Sequence, residues 1–92
     1  MNSRPFSAHA LTALTTAVTH LAMSEGSLAI RLSEAERYLD PVRPADLDAE
    51  LWGELVKARG NISRGRSTAQ LRWAAEALVR ILVRYSSYGL PS

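Results

Sequence analysis

The chain contains no cysteine, and this single absence removes several kinds of chemistry. Disulfide bonds, thiolate nucleophiles and sulfur-bound zinc are all excluded. Such a composition fits a reducing compartment. The first residues, MNSRPFSAHALTALTTAV, place one arginine before a weakly apolar, threonine-rich run, whereas a secretory signal has a more hydrophobic core. We therefore expect a cytoplasmic protein.

Long hydrophobic runs are also missing. Hydrophobic residues make up 47% of the sequence and charged residues 22%, and polar residues interrupt the apolar stretches regularly. This balance excludes an intrinsically disordered chain and a membrane-spanning one. A chain of 92 residues has room for one domain, and folding buries only about 60–65% of the surface that the unfolded chain exposes. We expect a single helical domain over residues 1–92, and self-association is a common way to complete so small a core.

Lysine is scarce, and the charges are unevenly distributed. Ten arginines accompany a single lysine, a bias typical of GC-rich bacterial or phage genomes. Residues 1–60 hold six Lys or Arg against eight Asp or Glu, a net charge of −2, whereas residues 61–92 hold five Arg against Glu76 alone, a net charge of +4. The basic last third is therefore the part of the chain that would attract an anionic partner.

Hydrophobic periodicity predicts an all-α fold, a small bundle of three to four helices. The sequence has no run of β-branched residues that would supply a sheet, and apolar residues recur instead at helical spacing. In the first half they alternate at intervals of three and four residues, which is the seam of a coiled coil. One polar residue, Glu25, interrupts this seam, whose other members are Leu11, Leu14, Val18, Leu21, Leu28, Leu32, Ala35 and Leu39.

The segment SEGS, residues 24–27, allows two interpretations of this first half. If the helix ends there, Gly26 caps it and Ser27 begins a second helix. If the helix continues, Gly26 costs about 1 kcal/mol relative to alanine. Because a loop has no reason to preserve the phase of the seam, we favour one long, slightly kinked helix over residues 7–39. Such a helix is about 50 Å long, too long for the rest of the chain to cover, and this predicts a homo-oligomer, with a dimer favoured.

Two further helices are predicted. Pro41 and Pro44 end the first element, and the next helix spans residues 45–59, with Gly60 as its C-terminal cap. The last helix spans residues 68–87 and begins with a capping box formed by Ser67 and Gln70. Its end is set by Gly89 and Pro91.

The connector GNISRGRS, residues 60–67, differs by one residue from the phosphate-binding pattern G-x-x-x-x-G-K-[ST]. A true phosphate loop follows a strand, whereas a predicted helix precedes this one, and Arg66 replaces the lysine. We therefore exclude a nucleotide-hydrolysis site. A weaker hypothesis remains, that of an anion site before a helix N-terminus, made of Arg64, Arg66, Ser67 and Thr68.

Catalytic and metal chemistry find no support in the spacing of residues. His9 and His20 are about 16 Å apart along a helix and cannot bind one ion together. No spacing of hydroxyl, base and acid predicts a nucleophilic triad. The sequence therefore predicts a protein that is not an enzyme and that uses no metal and no cofactor.

Two function hypotheses follow. The favoured one is a helical protein–protein interaction module, a small dimeric regulator, adaptor or inhibitor, whose candidate partner contacts are Trp73, Ile30, Asp46, Glu50 and Glu54. The second is a nucleic-acid-binding regulator with Trp73 for base stacking and a basic surface of Arg64, Arg66, Arg72, Arg80 and Arg84. We rank it second because the acidic and basic faces are complementary. If they pair within a dimer, little positive surface remains for nucleic acid.

Overall fold

A computed structural model describes residues 5–65 and 67–88 of the chain. Its elements are four α-helices, α1 (Ala8–Met23), α2 (Leu28–Arg37), α3 (Ala49–Arg64) and α4 (Thr68–Tyr88), and a short 3-10 helix at Pro44–Asp46 between α2 and α3. The described residues form no strand. The prediction of an all-α helical bundle of three to four helices is confirmed as to its all-α class, and the described residues form four α-helices.

The first half of the chain is broken into two helices, so the prediction of one continuous helix over residues 7–39 is wrong. At the end of α1 the Ser24 hydroxyl and backbone N–H both donate to the His20 carbonyl. Gly26 then adopts a φ of 111°, which residues with a side chain rarely adopt. The Ser27 hydroxyl accepts a hydrogen bond from the Ile30 N–H and caps α2. The alternative of a break at residues 24–27 is therefore correct.

The seam faces the core of its own chain. Leu14, Leu21, Leu32 and Leu39 are buried, and Leu11, Val18 and Leu28 pack against that core from its edge. The phase of the seam survives the break because α1 and α2 both bury their apolar sides in the same cluster. The length argument for a dimer therefore fails, since α1 is only about 24 Å long and α4 packs against it.

Helix α4 lies at the centre of the bundle and packs against the three other helices. Its buried residues are Ala74, Ala77, Leu78, Ile81 and Tyr85. Fully burying a large apolar side chain stabilises a fold by about 1.5–3 kcal/mol, so this stripe is a main source of stability. The predicted cap is confirmed, since the Gln70 N–H donates to the Ser67 hydroxyl over 3.1 Å. Gly89 and Pro91, predicted to end the helix, lie outside the described residues.

Helix α3 begins and ends later than the predicted range of 45–59. Its cap is Asp48, whose carboxylate accepts from the Leu51 N–H over 2.8 Å. Gly60 lies inside the helix rather than at its end, because the buried Ile62 extends the apolar face by another turn. The chain turns at Gly65 instead. A Cβ atom there would lie 2.5 Å from the Asn61 carbonyl oxygen and 2.6 Å from Leu71, so only glycine allows α3 and α4 to meet this closely.

Candidate interaction surfaces

Arg84, a member of the predicted basic surface, pairs within its own chain. Its Nη1 atom lies 3.1 Å from Glu50 Oε1 and 4.0 Å from Glu54 Oε2. The hydrogen bond to Glu50 and the charge of that carboxylate raise the pKa of Arg84 above its usual value. The complementarity that the sequence suggested between two copies is satisfied here between α3 and α4 of one copy. Arg84, Glu50 and Glu54 therefore offer little free charge to a partner.

Arg59 makes a second ion-pair cluster that the sequence did not predict. Its Nε donates to Glu36 over 2.9 Å and its Nη2 donates to Asp40 over 2.7 Å. Partial burial acts to lower the pKa of Arg59, but the hydrogen bonds and charges of both carboxylates outweigh it, and the pKa is raised. This cluster joins α3 to the end of α2. No spacing rule links residues 23 positions apart in sequence, so only the fold reveals it.

Asp46, predicted as a partner contact, instead joins two elements of the fold. Its carboxylate accepts from the Arg43 N–H over 2.8 Å and lies 3.1 Å from His9 Nε2. His9 Nδ1 in turn lies 2.6 Å from the Ser7 hydroxyl oxygen. A hydroxyl, an imidazole and a carboxylate are thus connected in the order of a nucleophilic triad, although their spacing gave no indication of it.

The Ser7–His9–Asp46 chain acts as an anchor for the start of α1. His9 is 59% exposed, so water competes for its hydrogen bonds. A neighbouring cavity of about 400 Å³ is lined by His9 but not by Ser7, so the hydroxyl does not face the space that a substrate would occupy. Tyr85 completes the anchor, since its hydroxyl accepts from the Ser7 N–H and donates to the Asp46 carbonyl.

His20 joins α1 to α2 beside the break. Its Nε2 atom lies 2.7 Å from Glu34, and its ring lies 5.4 Å from the ring of Tyr38.

The described residues contain no group of three metal-ligating side chains. Within the same part of the chain, no helix is both long and apolar enough to cross a membrane.

We define a basic patch between α3 and α4 as Lys57, Arg64, Trp73 and Arg80. Lys57 Nζ lies 5.1 Å from the centre of the Trp73 ring, and Arg80 Cζ lies 5.8 Å from it. The structure thus brings the predicted Trp73 and Arg80 together with Lys57, which the sequence analysis did not select, and Arg64 lies two turns beyond Lys57 on α3.

The other residues predicted around the connector are only partly described. Arg72 is exposed on α4, and Arg66 lies outside the described residues. The Ser67 hydroxyl is engaged in capping α4, and Thr68 is exposed in its first turn. The anion site of Arg64, Arg66, Ser67 and Thr68 stays a prediction.

An uncharged face covers the outer side of α1 and the adjoining edge of α4. The α1 sequence AHALTALTTAVTHLAM contains no Asp, Glu, Lys or Arg. Val79 is 43% exposed on α4 and lines a groove of about 460 Å³ together with Leu21 of α1 and the charged Glu76 and Arg80 of α4. Val83, one turn further along α4, is 62% exposed. We define the uncharged face as Thr12, Thr15, Thr19, Met23, Val79 and Val83.

Ile30, predicted as a partner contact, is exposed on α2. It lies beside the turn, where its side chain is 3.7 Å from the position of a Cβ atom on Gly26. It belongs to neither of the two surfaces defined above, and its part in partner binding stays a prediction.

Comparison with known proteins identifies no relative. No protein-family model, curated protein or solved structure matches this chain. The uncharged face and the basic patch are therefore the features that indicate a function.

Proposed function

We propose that this chain is a non-enzymatic protein–protein interaction module that forms a dimer through the uncharged face. In this proposal it serves as a small regulator, adaptor or inhibitor of bacterial or phage type. The heptad seam is no longer the argument for self-association, because its residues fill the core. The opposite, solvent-facing side of α1 supports self-association instead.

The observation that supports the proposal is the lack of charge on the outer side of α1. An exposed helix face ordinarily carries charged residues, whereas the central region of a protein interface is depleted of them. Threonines and Met23 occupy the outer side of α1 instead, and Val79 and Val83 are exposed on the neighbouring helix α4. An uncharged surface is hydrated more weakly than a charged one, so a protein partner can cover it without burying a charge.

A second copy of the chain fits this face well. Closed dimers pair one surface with itself around a two-fold axis, and a charged surface would then bring like charges together. The uncharged face avoids that repulsion because none of its residues ionises. The direction of α1 and α4 also suits a helical pairing, since the two helices run antiparallel, with Ser7 near Tyr85 at one end and Leu21 near Val79 at the other.

Nucleic-acid binding is the second candidate, and the basic patch is the observation that favours it. Lys57, Arg64 and Arg80 form no ion pair within the described residues. Their number is small, however, and Arg84 is already paired. Strong binding to a phosphate backbone depends on many such contacts, so this candidate ranks below protein interaction.

Light scattering coupled to gel filtration tests the dimer. We expect the wild-type chain to elute with twice its mass of 10.1 kDa, and Val83→Glu to shift it towards the monomer because it places a charge in each half of the interface. Val56→Glu is the matched control, since Val56 is also a half-exposed valine, on α3. A wild-type monomer at all concentrations, or equal effects of the two variants, contradicts the proposal.

A further inference from the structure

Trp73 holds two cations over its indole ring. Lys57 Nζ from α3 and Arg80 Cζ from its own helix lie 5.1 Å and 5.8 Å from the ring centre. Both distances are within the range of a cation–π contact. The ring is half-buried and packs against the core, so it is itself fixed. It therefore restrains two flexible side chains, which would otherwise sample many rotamers, around one ring.

No carboxylate neutralises these two cations. Neither Lys57 nor Arg80 forms an ion pair within the part of the chain that the structure describes, whereas Arg59 and Arg84 each contact two carboxylates. Arg59 and Arg84 therefore join helices through ion pairs, whereas Lys57 and Arg80 are available to carboxylates of a partner. A partner that brings negative charge would find the two cations already positioned, which lowers the entropic cost of binding.

The surface around Lys57 is shallow because a glycine lies one turn away on each side. A Cβ atom on Gly53 would meet nothing within 4 Å, so packing within the chain does not account for this glycine. Gly60 lies at the other side, and a Cβ atom there would be 3.1 Å from Arg64 Nη2. The guanidinium of Arg64 thus lies over Gly60 and adds a third cation on the same side of α3.

From these observations we infer that the basic patch binds a short acidic segment of a partner protein. The inference rests on the proposed function and names the chemistry of a partner for the same module. Two carboxylates two residues apart on an extended chain are about 7 Å apart, a spacing suited to two cations gathered on one ring. The glycines let the backbone of such a segment approach α3 closely. Its ligand class is therefore an Asp- or Glu-rich peptide.

A nucleic acid fits the same patch less well. Binding by base stacking needs a free aromatic face, and the Trp73 ring is already in contact with cations of its own chain. Carboxylates also limit the patch, since Glu54 precedes Lys57 by about one turn of α3 and Glu76 precedes Arg80 by one turn of α4. They would repel a phosphate backbone that continues beyond the patch.

Fluorescence anisotropy with labelled hexaglutamate tests the inference on the full chain. We expect binding at low salt that weakens as salt is added, because exposed charges are screened. Lys57→Gln and Arg80→Gln should each weaken binding by about twofold to fivefold, the range of an exposed charge pair. Arg37→Gln is the matched control, because Arg37 is an exposed cation of α2 without an ion pair in the described residues, and it should leave the affinity unchanged.

Any of three results would overturn the inference. The first is that hexaglutamate fails to bind at low salt, and the second is that Arg37→Gln weakens binding as much as the patch variants do. The third is that labelled oligothymidylate binds through Lys57 and Arg80 more tightly than hexaglutamate. The last result would assign the patch to nucleic acid. Arg80 lines the same groove as Val79 of the uncharged face, so Lys57→Gln, on α3, is the variant whose light scattering separates the two proposals. A dimeric wild-type chain that does not bind hexaglutamate contradicts the acidic-segment inference alone, and weaker peptide binding by a Lys57→Gln chain that stays dimeric supports it.

Discussion

Leu78→Ala should lower the free energy of unfolding by about 2–5 kcal/mol, the cost of removing a buried leucine side chain and leaving a cavity. Leu78 is fully buried on the central helix α4, where the three other helices pack, so the surrounding side chains have little room to collapse into the space. A typical domain has a total stability of only about 5–15 kcal/mol. The variant should therefore unfold at a much lower urea concentration.

Val83→Ala is the control for this experiment. It removes apolar atoms from the same helix but at a side chain that is 62% exposed, and the expected change is within about 0.5 kcal/mol for the monomer. Both variants should be compared at a concentration where the wild type is monomeric. Equal losses of stability at the two positions would contradict the assignment of the core to this side of α4.

Tyr85→Phe should lower the free energy of unfolding by about 1–3 kcal/mol, because it leaves two backbone groups without their partner. The Tyr85 hydroxyl accepts from the Ser7 N–H over 2.6 Å and donates to the Asp46 carbonyl over 2.7 Å. Phenylalanine retains the ring contacts with Phe6 and Tyr88, so the variant isolates the hydroxyl. Thermal unfolding measures the loss, at about 4–8 °C per kcal/mol for a chain of this size.

The same hydroxyl predicts a pH dependence. Burial raises the pKa of Tyr85, the hydrogen bond from the Ser7 N–H acts to lower it, and the charge of Asp46 adds to the rise. The folded state therefore holds the proton more tightly than the unfolded state, whose tyrosine pKa is about 10. This contribution is present below pH of about 10 and is lost as the pH rises through the folded pKa. The Tyr85→Phe variant should not show this loss of stability at high pH.

Tyr38→Phe is the matched control for both measurements, since Tyr38 is 42% exposed. It should change the stability by less than about 0.5 kcal/mol. A Tyr85→Phe variant as stable as Tyr38→Phe would contradict the anchor that joins the start of α1 to the 3-10 helix and α4.

Local sequence rules were sufficient for the helices themselves. Ser67 capped α4 where the Ser-x-x-Gln pattern placed it, and the apolar seam of the first half identified residues that face the core. The same rules misjudged residues 24–27, because the phase of the seam was attributed to one long, slightly kinked helix. Two short helices that pack into one core keep the same phase, and Gly26 supplies the positive φ that the turn between them requires.

The surfaces were harder to predict because they depend on which helices become neighbours. Arg84 and Glu50 lie 34 positions apart in sequence, and His9 and Asp46 lie 37 apart. Neither pair follows from helical spacing. Trp73 and Arg80, both named for one candidate surface, do lie close together on α4, yet Lys57 joins them only because α3 packs along α4. The sequence showed that α1 carries no Asp, Glu, Lys or Arg, but it did not show that the uncharged face lies opposite the core.

The central claim is that two copies pair through the uncharged face, and intermolecular cross-linking tests it most directly. The chain has no cysteine, so Thr15→Cys introduces a single thiol on the outer side of α1, and Ser33→Cys introduces one on the exposed side of α2 as a control. With a short bismaleimide reagent, the account predicts a covalent dimer for Thr15→Cys that forms far faster than for Ser33→Cys. Equal rates for the two variants would contradict it.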